Sequence, residues 1–153
     1  MGGDVDSVAR RTLRGWRHTV AGPSTETDTA QYILLLHQNP NDNLTMPREA
    51  MMETIRRYSA WAGDLGRRGK LVSGEKLTTG AIRKFSVKDG KPVVADGAYA
   101  EAKDVISGYF VIEAANAAEA DAIVRECPHL REGNWIELRA LDQASVDEAK
   151  KGA

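Results

Sequence analysis

The sequence predicts a single α+β domain with an antiparallel sheet in the order β-α-β-β-β-α-β. Three observations predict it: one run that is apolar on both faces, two segments with helical apolar periodicity, and two successive turn signals between them. At 153 residues the chain is long enough for one sizeable core and too short for two comfortable ones. This order of elements is a ferredoxin-like pattern with an added hairpin.

The first strand and the first helix open the domain. Residues Tyr32 to His37, YILLLH, are apolar on both faces, as in a central strand covered on both sides. Thr45 and Pro47 start a helix, because proline is tolerated in a first helical turn. Gly66 and Gly69 end it. The apolar residues of this helix recur at steps of four and three and are Met51, Ile55, Tyr58, Ala62 and Leu65.

The middle of the chain is predicted to be antiparallel. Leu71 to Leu77 and Ala81 to Val87 are two predicted strands joined by Thr78-Thr79-Gly80. Asp89-Gly90 begins a second tight turn, and Gly108 to Ala114 is a further strand.

A second helix and a last strand complete the domain. Asn116, with Glu119 three residues on, resembles a capping box at the start of a helix from Ala117 to Glu126. Pro128 stops that helix, and Trp135 to Ala140 alternates as a half-buried strand does.

Alternation along the last two strands predicts a second sheet face that differs from the core face. Phe110 and Ile112 are predicted to face the helices, as are Ile136 and Leu138. The opposite face carries Tyr109, Val111, Glu113, Trp135, Glu137 and Arg139. Since such a face is too apolar for water and too polar for a dry core, we expect a second copy of the chain to cover it and enclose a cavity with polar groups inside.

Composition argues against several classes of partner and site. With 21 basic and 22 acidic residues the net charge is -1, so neither a nucleic acid nor a membrane is an expected partner. The single cysteine, Cys127, lies on an apolar helical stripe and is predicted to be a core residue in a cytoplasmic protein without disulfides. Histidines, cysteines and carboxylates lack metal-ligand spacing, and the glycines form no phosphate-binding fingerprint, so we expect no metal and no cofactor.

Composition also divides the chain into three segments. Residues 1–29 contain four arginines among small polar residues and are predicted to be a disordered extension, the alternative being an Arg-rich amphipathic helix that contacts a partner. The folded domain is predicted over residues 30–142, and residues 143–153 are assigned to a C-terminal tail.

Several motifs resemble those of a known family. The stretch Asp96 to Lys103, DGAYAEAK, followed by Ser107-Gly108-Tyr109, is similar to the D-G-P-F-x-E-x-K signature of the DGPF branch of the YCII-related family. The similarity extends from about Gln31 to Leu141 and includes Cys127-Pro128 and the closing Ile136-Glu137-Leu138-Arg139 strand, while Ala98 and Tyr99 stand where the family has Pro and Phe. It implies a ferredoxin-like fold that pairs as a dimeric α/β barrel, and no settled substrate.

Two residues are the candidates for catalysis. Histidine is the residue type suited to proton transfer near neutral pH, and His37 ends the first strand. Asp96 is a candidate base or a residue that orients one, and its alternative role is an Asp-Gly turn. The wider family is thought to use a His-Asp pair, so the resemblance suggests His37 with Asp96.

Five residues are the candidates for substrate binding. They are Glu101, Lys103, Tyr109, Glu137 and Arg139. Arg139 is suited to hold a carboxylate or phenolate, or else to form an ion pair across a dimer interface. The alternative for Glu101 and Lys103 is a solvated pair.

The leading functional hypothesis is a small-molecule-binding homodimer that performs cofactor-free acid-base chemistry, of isomerase or lyase type, on small cyclic or phenolic acids. The alternative is a non-catalytic binding or regulatory module associated with transcription.

Overall fold

The computed structural model describes residues 29–40, 46–78, 82–96 and 104–152. The elements are β1 Ala30–Gln38, α1 Arg48–Arg67, β2 Leu71–Lys76, β3 Arg83–Lys88, β4 Lys91–Asp96, β5 Val105–Ala114, α2 Ala117–Arg125, β6 Trp135–Ala140 and α3 Gln143–Lys151. Apart from Thr29, the predicted N-terminal extension lies outside the described residues.

The strands form two separate antiparallel sheets. A four-stranded sheet has the order β2-β5-β1-β6, and β3 with β4 forms a two-stranded sheet. The four-stranded order is that of a ferredoxin-like domain, so the predicted α+β fold is confirmed.

One face of the four-stranded sheet packs against α1 and α2. Leu34 and Ile112, from the two central strands, are fully buried with Leu65 of α1 and Ile123 of α2. The partly buried residues that pack on this core are Tyr32, Tyr58, Trp61, Leu71, Phe110, Val124, Ile136 and Leu138. The predicted core face of β5 and β6 is therefore confirmed. The other face, which we call the open face, is left without a covering layer in the described part of the chain.

Helix α1 ends in a motif that requires a left-handed residue. Gly69 has φ 68°, its N–H bonds the carbonyl of Gly66 at 3.1 Å, and the N–H of Lys70 bonds the carbonyl of Leu65 at 2.8 Å. Gly66 thus lies inside the last helical turn, and Gly69 alone supplies the stop. Glycine adopts positive φ at little steric cost, so Gly69 can end the helix one turn after Leu65, as predicted.

Helix α2 begins with the predicted capping box. The Asn116 side chain accepts from the N–H of Glu119 at 2.9 Å, and the Glu119 carboxylate accepts from the N–H of Ala115 at 2.8 Å. Lys70 forms a 2.6 Å ion pair with the same carboxylate. Both interactions lower the pKa of Glu119, the bond from Lys70 most.

The predicted hairpin between Leu71 to Leu77 and Ala81 to Val87 is wrong. Strand β2 pairs instead with β5, and β3 pairs with a strand that was not predicted, β4. Glycines permit the β2–β5 contact: a Cβ on Gly74 would clash with the Phe110 ring, and one on Gly108 would lie 2.8 Å from the Glu75 carbonyl oxygen. The second turn signal is confirmed, since Asp89 (φ 52°) and Gly90 (φ 75°) close the β3–β4 hairpin.

The segment assigned to a tail contains α3. Asp142 caps it by accepting from the N–H of Ser145 at 3.1 Å. None of the residues of α3 is buried. Among the described helices, none is long and apolar enough to cross a membrane.

Candidate functional site

Three strand ends meet around His37. His37 lies near the end of β1, Trp135 begins β6, and Asp104 immediately precedes β5. His37 and Trp135 are partners in the β1–β6 register, and their rings stack with centroids 3.7 Å apart and planes 10° from parallel. The imidazole is thus held on the open face by an aromatic surface, and the indole is 43% exposed.

A carboxylate fixes the proton on one imidazole nitrogen. His37 Nδ1 lies 3.2 Å from Asp104 Oδ1. Because an ionised carboxylate only accepts hydrogen bonds, Nδ1 is the donor, and Nε2 of the neutral ring is left as the acceptor. Nε2 is buried and has no hydrogen-bond partner among the described residues. A buried nitrogen with a free lone pair is an exception that calls for a functional or structural reason.

The main chain of His37 is anchored from the core side. His129, 1% exposed, donates from Nε2 to the His37 carbonyl oxygen at 2.8 Å, and the Tyr58 hydroxyl lies 2.6 Å from His129 Nδ1. Since Nε2 carries the proton, Nδ1 accepts from Tyr58. Burial lowers the pKa of His129 and raises that of Tyr58 to about 12, so both groups are neutral near pH 7.

This role of His129 is not predictable from the sequence. Its partner is a main-chain carbonyl 92 residues away, which no local pattern identifies. A buried neutral histidine with both nitrogens bonded is a structural anchor that fixes the end of β1.

An irregularity in the β1–β5 pairing aims the His37 side chain. The register shifts between Leu36 and His37, so Gly108 faces Leu36 and Ile106 faces His37. Ser107, the residue passed over, donates from Oγ to the Leu36 carbonyl oxygen at 3.3 Å. Such an extra residue bends a strand and reorients neighbouring side chains.

The open face beyond His37 is arranged in cross-strand rows. Leu35 is flanked by Tyr109 and Glu137, with Glu75 beyond Tyr109. The next row is Ser73, Val111, Ile33 and Arg139. At about 3.4 Å per residue, Glu137 lies about 7 Å along β6 from Trp135, and Arg139 about 14 Å. The structure therefore brings Tyr109 and Glu137 near His37 and places Arg139 at the far end of the same face.

The other predicted site residues lie elsewhere. Asp96 ends β4 on the two-stranded sheet, where its carboxylate lies 3.5 Å from Arg83 Nε. The structure thus pairs His37 with Asp104 and Asp96 with Arg83. Glu101 and Lys103 lie outside the described residues, so their substrate-binding role stays a prediction.

Cys127 is a core residue. It is 3% exposed, and burial raises the pKa of its thiol to about 11, so it is protonated and unreactive at neutral pH. In the described ranges, no group of three or more histidines, cysteines and carboxylates is arranged to hold a metal ion.

Comparison with known proteins gives one match. The family model of the YCII-related domain matches residues 30–142, which include β1 to β6, α1, α2 and the whole of the site around His37. A search of curated proteins finds no match to this chain.

Proposed function

Because the chain belongs to the YCII-related family, we propose that it binds a small molecule on the open face and acts on it by cofactor-free acid-base chemistry. The observation that carries the proposal is the His37 imidazole, whose Nδ1 is held by Asp104 while Nε2 has no partner among the described residues. The motifs from Asp96 to Tyr109 support membership of the DGPF branch.

His37 is the proton acceptor in this proposal. The side chains over the buried Nε2 move aside when the ligand binds, so that Nε2 takes a proton from the ligand, as in an isomerisation or elimination, and Asp104 stabilises the imidazolium that forms. The same nitrogen returns the proton to a second position of the substrate or to a leaving group. A positioned acid-base residue contributes about 10²–10⁴-fold to a rate.

The open face supports a small cyclic or phenolic acid as the ligand. Trp135 and Leu35 offer apolar surface to a planar ring beside His37. Tyr109, one row away, donates to a carbonyl or phenolic oxygen. Arg139, about 14 Å along the strand from Trp135, holds a carboxylate only when the ligand extends across two rows.

The ligand site is completed by a second copy of the chain, in the manner of a dimeric α/β barrel. Trp135 and Ile106 on the open face are 43% and 42% exposed. Both the aromatic and the charged side chains of this face are then enclosed between two subunits, which supplies the water-poor cavity that acid-base chemistry uses.

The test compares two carboxylates as partners of His37. Turnover is measured over a panel of small cyclic and phenolic acids and their lactones for the wild type and for His37→Ala, Asp104→Asn and Asp96→Asn. We expect a loss of 10²-fold or more in His37→Ala, a loss of about tenfold or more in Asp104→Asn, and wild-type turnover in Asp96→Asn.

Other outcomes would change the assignment. Loss in Asp96→Asn with wild-type turnover in Asp104→Asn would make Asp96 the partner of His37 and overturn our choice. Ligands that raise the melting temperature without being turned over would favour the non-catalytic binding module.

A further inference from the structure

The β3–β4 hairpin carries an apolar face that is left exposed in the part of the chain that the structure describes. Its antiparallel register pairs Phe85 with Val94 and Val87 with Pro92, so these four side chains share one face. Phe85 is 65% and Val87 is 72% exposed, and every residue of both strands is exposed. Because a two-stranded hairpin alone is only marginally stable in water, this face needs a covering partner.

The hairpin is built to bind through this face and not through its edges. Pro92 lacks an N–H, and lysines flank both strands, features that oppose the addition of a further strand. Around the two-residue turn at Asp89-Gly90, the apolar pairs occupy the non-hydrogen-bonded positions, where side chains lie closest together. They therefore form a continuous apolar strip.

The charges of the hairpin complement those of the open face. The hairpin has four basic and two acidic side chains, which are Arg83, Lys84, Lys88, Lys91, Asp89 and Asp96. The open face has three glutamates and one arginine, which are Glu75, Glu113, Glu137 and Arg139. Arg83 and Asp96 lie on the face of the apolar strip and pair with each other, whereas Lys84, Lys88 and Lys91 lie on the opposite face. The net positive arm and the net negative face of a second copy therefore attract each other at long range, and the contact itself is apolar.

We propose that the hairpin of one copy packs its apolar face onto the open face of a second copy and closes the His37 site of that copy from outside. The proposal rests on the proposed function, in which a second copy covers the open face. It assigns Phe85 of one copy to the aromatic surface formed by the exposed Trp135 and the half-buried Tyr109 of the other copy. Each site is then incomplete without the partner's arm.

The area agrees with a stable dimer. The apolar strip consists of Phe85, Val87, Pro92 and Val94. From their exposed fractions, its area is about 350 Å². In a two-fold dimer every contact occurs twice, so each chain buries its own strip and a similar area of its open face. The result, about 700 Å² per subunit, is close to the ~800 Å² of a standard interface.

Sedimentation of the full chain tests the contact. The double variant Phe85→Lys/Val87→Lys places two charges on the apolar strip, and Ser86→Lys places one on the opposite face of the same strand as the matched control. We expect a wild-type dimer, at least 100-fold weaker dimerisation in the double variant, and a wild-type dimer in the control. Circular dichroism and the melting temperature establish that each variant is folded.

Cross-linking identifies what the arm contacts. A short bismaleimide is added to Phe85→Cys alone, to Glu137→Cys alone, and to their mixture, in which Cys127 stays unreactive because it is buried. We expect cross-linked dimers of the mixture in excess of those of either variant alone. Cross-linking of Phe85→Cys with itself but not with Glu137→Cys would mean that two hairpins face each other, and would overturn the proposal.

The outcomes separate this inference from the proposed function. A wild-type dimer whose affinity is unchanged in the double variant overturns the arm contact and leaves the proposed dimer standing. A wild-type monomer overturns the arm contact and the proposed dimer together. In both cases the His37→Ala and Asp104→Asn comparison still decides the chemistry.

Discussion

The anchor behind the candidate site gives a quantitative prediction. Replacing His129 with leucine, which is similar in size and cannot form hydrogen bonds, leaves the Tyr58 hydroxyl and the His37 carbonyl without their partner. A buried polar group without a partner costs about 1–3 kcal/mol, and the added apolar burial of leucine offsets about 1 kcal/mol. With two such groups, we therefore expect His129→Leu to lower the free energy of unfolding by about 1–5 kcal/mol.

Urea denaturation measures this loss and shows where it originates. Tyr58→Phe removes one of the two hydrogen bonds and is expected to cost about 1–2 kcal/mol. The double variant should be at least about 1 kcal/mol more stable than the sum of the single effects predicts, because the two residues contact each other. The slope of the unfolding free energy against urea concentration should be the same in the variants and in the wild type, since the folded state keeps its compactness.

The pH dependence gives an independent check on the same residue. Burial lowers the pKa of His129 in the folded chain below its ordinary 6.5, so below that pH the unfolded state binds a proton that the folded state does not. The stability contributed by neutral His129 is therefore fully present above pH 6.5 and is lost as the pH falls toward the folded pKa, by at most about 1.4 kcal/mol per pH unit. His129→Leu should lack this slope. The anchoring role would be refuted if His129→Leu lowered the free energy of unfolding by less than about 0.5 kcal/mol. It would also be refuted if the stability of the variant between about pH 5 and 7 changed with pH as steeply as that of the wild type.

Three further predictions concern the core and its margins. Gly74→Ala should lower the free energy of unfolding by about 1–3 kcal/mol in urea, because the new methyl meets the Phe110 ring; an unchanged midpoint would contradict the close packing. Native Cys127 should resist iodoacetamide at pH 8 and react once the chain is unfolded in urea, whereas rapid native labelling would contradict its burial. The wild type should lose stability as the pH falls below 4.5, because ion pairing with Lys70 lowers the pKa of Glu119, and Glu119→Gln should lose less over the same range. Urea midpoints of the variant that fall from about pH 6 to 3 as steeply as those of the wild type would count against this prediction.

Much of the fold followed from local patterns. The helical period between Met51 and Leu65, the cap at Asn116 and the turn at Asp89-Gly90 are local features, and each produced the element expected. The pairing of β2 with β5 is non-local and depends on glycines that let the two strands approach. The turn-like residues from Thr78 to Gly80 could not reveal it.

Helix α3 was missed for a different reason. Its residues, Gln143–Lys151, are mostly polar and none is buried, so no apolar stripe marked it. Only the cap at Asp142 and good helix formers indicate it, and these are weak signals in a short segment.

The candidate site was predictable in its face but not in its pairing. Alternation placed Tyr109, Glu137 and Arg139 on the open face, because side-chain direction in a strand follows sequence parity. The neighbour of His37 depends on one extra residue in β5, and the family motif directed attention to Asp96 instead of Asp104. A one-residue shift in register is not visible in a hydrophobic pattern.

The pairing of β2 with β5 also affects the entropy of the chain. The two strands behave as a hairpin whose loop holds another hairpin, since the N–H of Leu77 bonds the carbonyl of Ser107 at 2.9 Å. Closing a loop of about 30 residues instead of about 4 costs roughly 2 kcal/mol more in chain entropy. Replacing residues 78–103 with a tight turn should therefore make the four-stranded sheet fold faster and raise its free energy of unfolding. The natural chain loses this additional entropy on folding because the loop between β2 and β5 contains the β3–β4 hairpin.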